Sequence, residues 1–148
     1  MGTSRKLSAR QRGMVHGYRS GFEEEIAREL AELNVKFTFE EHKVPWTDLR
    51  YRNYTPDFVL ENGIIIETKG RFVPDDRRKH LEIKKQHPHL DIRFVFYRSA
   101  STLSKTSKTT YAAWCKKNGF KYADKHIPQS WLDEPKKKSG LEQPKKNT

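Results

Sequence analysis

Residues 55–70 read Thr55-Pro56-Asp57-Phe58-Val59-Leu60-Glu61-Asn62-Gly63-Ile64-Ile65-Ile66-Glu67-Thr68-Lys69-Gly70, and this stretch decides the fold. Two apolar runs flank Asn62-Gly63, the turn pair that signals a β-hairpin. The isoleucine run has the apolar density of an interior strand covered on both faces. Such a strand has no use for charge, yet it ends in Glu67-Thr68-Lys69, with Glu67 and Lys69 on one face. Asp57 opens the partner strand, and the turn decides where it falls. A two-residue turn pairs Glu61 with Ile64 and sets Asp57 opposite Thr68, facing away from Glu67. A three-residue loop, Glu61-Asn62-Gly63 with Gly63 left-handed in a bulge, pairs Leu60 with Ile64 and sets Asp57 opposite Glu67. For a shared site we expect the longer loop, or a distortion that re-aims Asp57.

A buried carboxylate beside a buried ammonium is costly unless paired or functional. Two carboxylates converging on a hard cation, with a lysine to handle a nucleophilic water, are what metal-assisted phosphodiester hydrolysis requires. The same residues also fit a plainer description: an aspartate at a strand end, and a glutamate–lysine pair exposed at a sheet edge.

The flanks predict a mixed α/β class. Before the hairpin, Phe22, Ile26, Leu30 and Leu33 recur at helical spacing. Ser20 with Glu23 forms a capping box at the start of that helix, and Asn34 stops it. Val35, Phe37 and Phe39 alternate as a half-buried strand. Residues 43–54 read as a connector with some strand propensity and several aromatics. After the hairpin, Gly70 ends the strand and Pro74-Asp75-Asp76 opens a helix carrying Leu81 and Ile83, stopped by Pro88. A strand over residues 91–97, a Ser/Thr/Lys loop, a helix from about Thr109 to Asn118 closed by Gly119, and a helical turn near residues 129–134 follow.

The 148 residues suit one domain: a basic arm over 1–15, a body over 16–135 and a basic tail over 136–148. Charge is concentrated at the ends. Arg5, Lys6, Arg10, Arg12 and Arg19 stand without an acid in residues 1–21. Lys136, Lys137, Lys138, Lys145 and Lys146 outweigh Glu142 at the other end. The net charge of +11 therefore leaves a nearly balanced body between tails too polar to pack, suited to a polyanion. No apolar run approaches the roughly 20 residues of a membrane span. The single cysteine, Cys115, is expected in the core and fits a reducing cytosol. The six histidines are scattered, and none is expected to be a ligand.

Pro56-Asp57 followed by Glu67-Thr68-Lys69 resembles the motif of the PD-(D/E)xK nuclease superfamily. Its surroundings resemble one family within it: Tyr18-Arg19-Ser20-Gly21-Phe22-Glu23, Tyr54-Thr55-Pro56-Asp57-Phe58, Asn62-Gly63-Ile64, Glu67-Thr68-Lys69-Gly70, Asp75-Asp76-Arg77-Arg78-Lys79-His80-Leu81, Gln86-His87-Pro88 and Leu90-Asp91-Ile92-Arg93. They are similar to phage endonuclease I, the four-way-junction (Holliday-junction) resolvases of T-seven-like phages, over about residues 15–135. The resemblance implies a restriction-endonuclease-like core, a mixed β-sheet flanked by helices, in an intertwined, segment-swapped homodimer. It implies catalytic Glu23, Asp57, Glu67 and Lys69. Asp57, Glu67 and the Thr68 carbonyl would hold one Mg2+, or Mn2+ in its place; Glu23 and Asp57 would serve a second. Glu23 would act on the partner's site, with residues 43–54 as the crossing segment. A phage-encoded enzyme of this kind works in the host cytoplasm.

Glu23 is equally explained as a helix cap. Arg19, Arg77, Arg78, Lys79 and Lys105 are candidates for DNA backbone contacts, although a solvated helix face or loop accounts for them as well. The alternative function is a non-catalytic basic module that binds branched or duplex nucleic acid. Asp57 and Glu67 argue against it, since acids repel phosphate unless a cation intervenes. No helix rich in Asn, Gln and Arg suggests base reading, so selectivity for a junction is expected from its geometry.

Overall fold

The structure, a computed structural model, describes residues 20–48, 50–138 and 140–141. The described residues fall into two compact units, divided between Val35 and Lys36. In the first, helix α1 (Gly21–Glu32) starts as its capping residues predict: the Ser20 side chain accepts from the Glu23 N–H at 3.1 Å. It ends at Leu33, and Asn34 takes the left-handed conformation at φ +57°. Ile26, Ala27 and Leu30 are its buried apolar residues, whereas Leu33 is exposed.

The second unit holds β1 (Phe37–Phe39), β2 (Val44–Asp48), β3 (Arg50–Tyr54), β4 (Phe58–Leu60), β5 (Ile65–Lys69), α2 (Pro74–Gln86), β6 (Ile92–Phe96), α3 (Tyr111–Asn118), β7 (Lys121–Asp124) and α4 (Gln129–Leu132). Five strands form one mixed sheet in the order β1-β4-β5-β6-β7. The β1–β4 and β4–β5 pairs are antiparallel; β5–β6 and β6–β7 are parallel. β5 is central, as its isoleucines require. Each parallel pair needs a crossover, and α2 and α3 supply them.

The hairpin has the three-residue loop. Phe58 pairs with Ile66 and Val59 with Ile65, and the Leu60 N–H donates to Ile64 O at 2.8 Å. The Gly63 N–H donates to Leu60 O at 2.9 Å, and Gly63 sits at φ +93°. Any side chain there would be doubly opposed: by that φ, and because its Cβ would lie 2.6 Å from the Lys137 carbonyl oxygen.

Three features depart from the sequence expectations. Within the expected connector, Val44–Asp48 and Arg50–Tyr54 form an antiparallel ribbon, with Val44 opposite Tyr54 and Trp46 opposite Arg52. Gln86 of α2 ties that ribbon down, accepting from the Thr47 N–H and donating to Thr47 O, both at 2.6 Å. A seventh strand, β7, extends the sheet beyond β6. The start of the C-terminal tail packs despite its polarity: the Lys137 N–H donates to Asn62 O at 3.0 Å and its ammonium lies 2.7 Å from Asp91.

One face of the sheet carries the core, in which Val44, Trp46 and Tyr54 from the ribbon meet Val59, Ile65, Phe94, Phe96, Ile83 and Trp114. Phe72 is its hub, with ring centroids 4.8–5.7 Å from Phe94, Phe96, Tyr111 and Trp114. Each such pair contributes about 0.5–1.5 kcal/mol beyond simple burial. Cys115 is buried there, and burial pushes its thiol up to about 12.

Candidate active site

The hairpin register builds the site. Carried one residue past the ladder, it sets Asp57 across from Glu67, and the β1–β4 register sets Glu40 across from Asp57 on the other side. The Glu40 N–H donates to Asp57 O at 3.2 Å, Glu40 itself sits at φ +52°, and carboxylate oxygens of Glu40 and Asp57 lie within 4.8 Å of each other. Three acids thus form a row across β1, β4 and β5. Asp57 is fixed from β5: its Oδ2 accepts from the Thr68 N–H at 2.9 Å and the Thr68 hydroxyl at 3.1 Å.

Glu67 is 2% exposed and Asp57 4%. This depth rules out the plainer description of a pair at the sheet edge. Burial pushes the Glu67 carboxyl well above the usual carboxylate range, and the Asp57 charge pushes the same way; Lys69 opposes them. For Lys69 burial works downward, but Glu67, Asp76 and Asp57 hold its ammonium above the ordinary lysine value. Its Nζ lies 3.4 Å from Asp76 of α2.

His80, on the same helix, is fully buried, with Nε2 3.7 Å from a Glu67 oxygen. Tyr54 and Phe94 meet its ring edge-to-face at 5.4 and 4.9 Å. Burial, together with the Lys69 and Lys79 charges, keeps its imidazole well below its usual value, hence neutral. Tyr54 is buried against Glu67, and burial raises its hydroxyl well above the usual tyrosine range. The arrangement offers hard oxygen donors beside a charged amine, a set suited to a divalent cation and a phosphate.

Against known proteins, the sequence profile of the family described as phage endonuclease I matches residues 1–148. The chain is 50% identical over 124 residues to "Endonuclease I" of Escherichia phage T7, covering 83% of each chain. It is 49% identical over 121 residues to "Endodeoxyribonuclease 1" of Enterobacteria phage T3, covering 81% of this chain and 80% of the relative. The chain belongs to the phage endonuclease I family. It is therefore a nuclease.

In this endonuclease I family member, Asp57, Glu67, Thr68 and Lys69 come together within the second unit, and Glu23 lies buried on α1 in the first. Among the cations expected to meet DNA, Lys79 is half-buried, its Nζ 5.3 Å from the Tyr54 ring centre, and burial lowers its ammonium. Arg77 is turned inward and donates to Phe72 O at 2.6 Å. Arg78 lies 3.8 Å from Asp75 on an exposed helix face, and Lys105 is in an exposed loop. Arg19 and the basic arm lie outside the described residues. Glu40, Asp76 and His80 were not anticipated. Only Glu40 left a signal, a pair of acids directly after a strand; Asp76 and His80 sit in a run of charged residues whose spacing marks no buried face.

Proposed function

We propose that this endonuclease resolves four-way and other branched DNA junctions by metal-dependent hydrolysis of phosphodiester bonds, as a homodimer on a restriction-endonuclease-like core. The observation that carries the chemistry is the row of Asp57 opposite Glu67 with Lys69 two residues along, deep in the fold yet rich in charge. The donor set fits a divalent ion: the carboxylates are hard ligands whose mutual repulsion a cation relieves. Asp57, Glu67 and the Thr68 carbonyl would hold one Mg2+, with Mn2+ able to substitute; Glu23 and Asp57 would serve a second. When bound, the ion supplies an activated water and neutralises charge on the phosphate.

The chain's own groups do the rest. Thr68 fixes the Asp57 carboxylate through its two hydrogen bonds. Lys69 presents its ammonium to the attacking water or to the phosphate oxygens as charge develops there. Lys79 adds a second positive group on the same side. Two such sites related by a two-fold axis match the two strands cut in a four-way junction, and exchange across residues 43–54 would deliver Glu23 to the partner's site. Arg19, Arg78, Lys79 and Lys105 would grip phosphates without reading bases. The names of both relatives and the whole-chain family match support this reading, which places the enzyme's work in the host cytoplasm.

The test is cleavage of a labelled immobile four-way junction beside its matched linear duplex, with Mg2+ or with EDTA. The proposal expects junction cutting with Mg2+, little duplex cutting, and none of either with EDTA. Equal rates on both substrates would overturn junction selectivity, and cutting in EDTA would overturn the metal requirement.

A further inference from the structure

Two groups beside the site have no part in the scheme above, and one helix carries both. Asp76 Oδ1 of α2 lies 3.4 Å from Lys69 Nζ, and His80 Nε2 lies 3.7 Å from Glu67 Oε1. The pairing follows from the topology. β5 and β6 are parallel, so the crossover helix between them must run back against β5. Going up the helix therefore means going down the strand: Asp76 meets Lys69, and four residues on His80 meets Glu67. The spacings agree, since four helical residues rise about 6.0 Å and two strand residues about 6.6 Å.

The surroundings of both contacts argue against chance. His80 is 0% exposed, and neither ring nitrogen has a hydrogen-bond partner among the described residues, although Tyr54 and Phe94 hold the ring in place. A buried imidazole that is packed tightly but left unsatisfied is costly as pure structure. Among the described residues, the Glu67 carboxyl lies 3.7 Å from its Nε2. The Lys69 and Asp76 side chains are 18% and 26% exposed, so their pairing is partly sheltered from water.

We infer that α2 is a positioning template for the catalytic strand, with Asp76 aiming the Lys69 ammonium and His80 aiming the Glu67 carboxylate. This deepens the proposed function and rests on Glu67 and Lys69 being catalytic. Neither Asp76 nor His80 touches the reacting atoms; each fixes a group that does. Supporting residues of this kind typically cost 10- to 100-fold when removed.

The test uses the full-length protein in single-turnover cleavage of a four-way junction at saturating enzyme, with junction affinity in EDTA and melting temperature read alongside. Asp76→Asn should slow cleavage about 10- to 100-fold with unchanged affinity and melting temperature, and Asp76→Glu should recover much of the rate. His80→Phe keeps the ring packing and removes both nitrogens; it should stay folded and lose a similar factor. In a Lys69→Ala background, Asp76→Asn should cost nothing further, because the group it aims is gone. Wild-type rates in Asp76→Asn and His80→Phe would overturn the inference, as would losses that add fully to Lys69→Ala. Wild-type cleavage by Lys69→Ala and Glu67→Ala themselves would instead overturn the reading of the site on which it rests.

Discussion

Strands β5 and β6 carry two charged clusters on opposite faces of one sheet, and they are built on opposite principles. On one face Arg93, 2% exposed, is fully engaged. Its Nε and Nη2 each lie 2.8 Å from an Asp91 oxygen, and Nη2 is also 2.8 Å from Glu134 Oε1. The guanidinium sits 5.2 Å from the Trp131 ring centre, and Lys137 adds a second cation at 2.7 Å from Asp91. On the other face Glu67 is just as deep, but it faces a second carboxylate and a neutral imidazole. Charge that is matched at close range holds a fold together; charge that is left partly unmatched waits for a ligand. Each of the following variants strikes one side of that contrast.

The largest effect is expected on the unmatched side. Lys69→Met should lower the single-turnover cleavage rate roughly 100- to 1,000-fold, the usual cost of losing a group aimed at developing charge, while junction affinity changes little. A gel shift run beside the cleavage assay checks both halves. A drop in affinity that accounts for the whole loss would make Lys69 a simple phosphate anchor.

On the matched side, Arg93→Met should leave cleavage by the folded protein intact and reduce stability. Breaking a buried pair typically costs about 3–5 kcal/mol; with partners about a quarter exposed, we expect the lower end, a melting temperature down by roughly 10 °C. Acid should mimic the variant. Burial alone would raise the Asp91 carboxyl, but hydrogen bonds from Arg93 and Lys137 hold it at about 2. Hydrogen bonding from Arg93 likewise holds Glu134 at about 2. Both folded values are depressed, so this stabilisation is present above the ordinary carboxylate values and is lost as pH falls from about 4.5 towards 2. Thermal melts over that range should converge for wild type and Arg93→Met.

Gly63→Ala joins the two faces and should have the smaller effect. A residue at φ +93°, with its Cβ against the Lys137 carbonyl, must shift the turn or the chain over it. We expect about 1–2 kcal/mol of destabilisation. Because the same turn sets Asp57 opposite Glu67, a measurable fall in cleavage rate should accompany it. A loss of stability with an unchanged rate would separate the turn from the site.

What could be read in the sequence follows this division between local and distant causes. The hairpin was legible because Asn62-Gly63 and the flanking apolar runs act within a few residues of one another; its register was not fixed by them, and the three-residue loop followed only from requiring Asp57 and Glu67 to share a site. The caps at Ser20 and Gly119 were legible from equally local signals. β7 was not: Lys121-Tyr122-Ala123-Asp124 is a short edge strand with no alternation to mark it. The β2–β3 ribbon was hidden by Pro45 and by a mixture of charged and aromatic residues. Arg93 reads as the outward residue of an alternating strand; Asp91 is close by in sequence, but Trp131 and Glu134, which complete its burial, lie about 40 positions away. At the site, Asp57, Glu67 and Lys69 announce themselves as charge in an apolar setting. His80 and Asp76 do not, since a crossover helix brings them to β5 and nothing in their own neighbourhood marks them.

The most direct test of the account is Glu67→Gln, with melting temperature, junction affinity and cleavage measured on one preparation. The change removes the acid whose ionisation burial and the Asp57 charge oppose, while keeping the side chain's shape. The account predicts a protein that binds the junction, melts at or above the wild-type temperature, and does not cut. A variant that still cuts at the wild-type rate, or that melts as far below wild type as Arg93→Met, would contradict it.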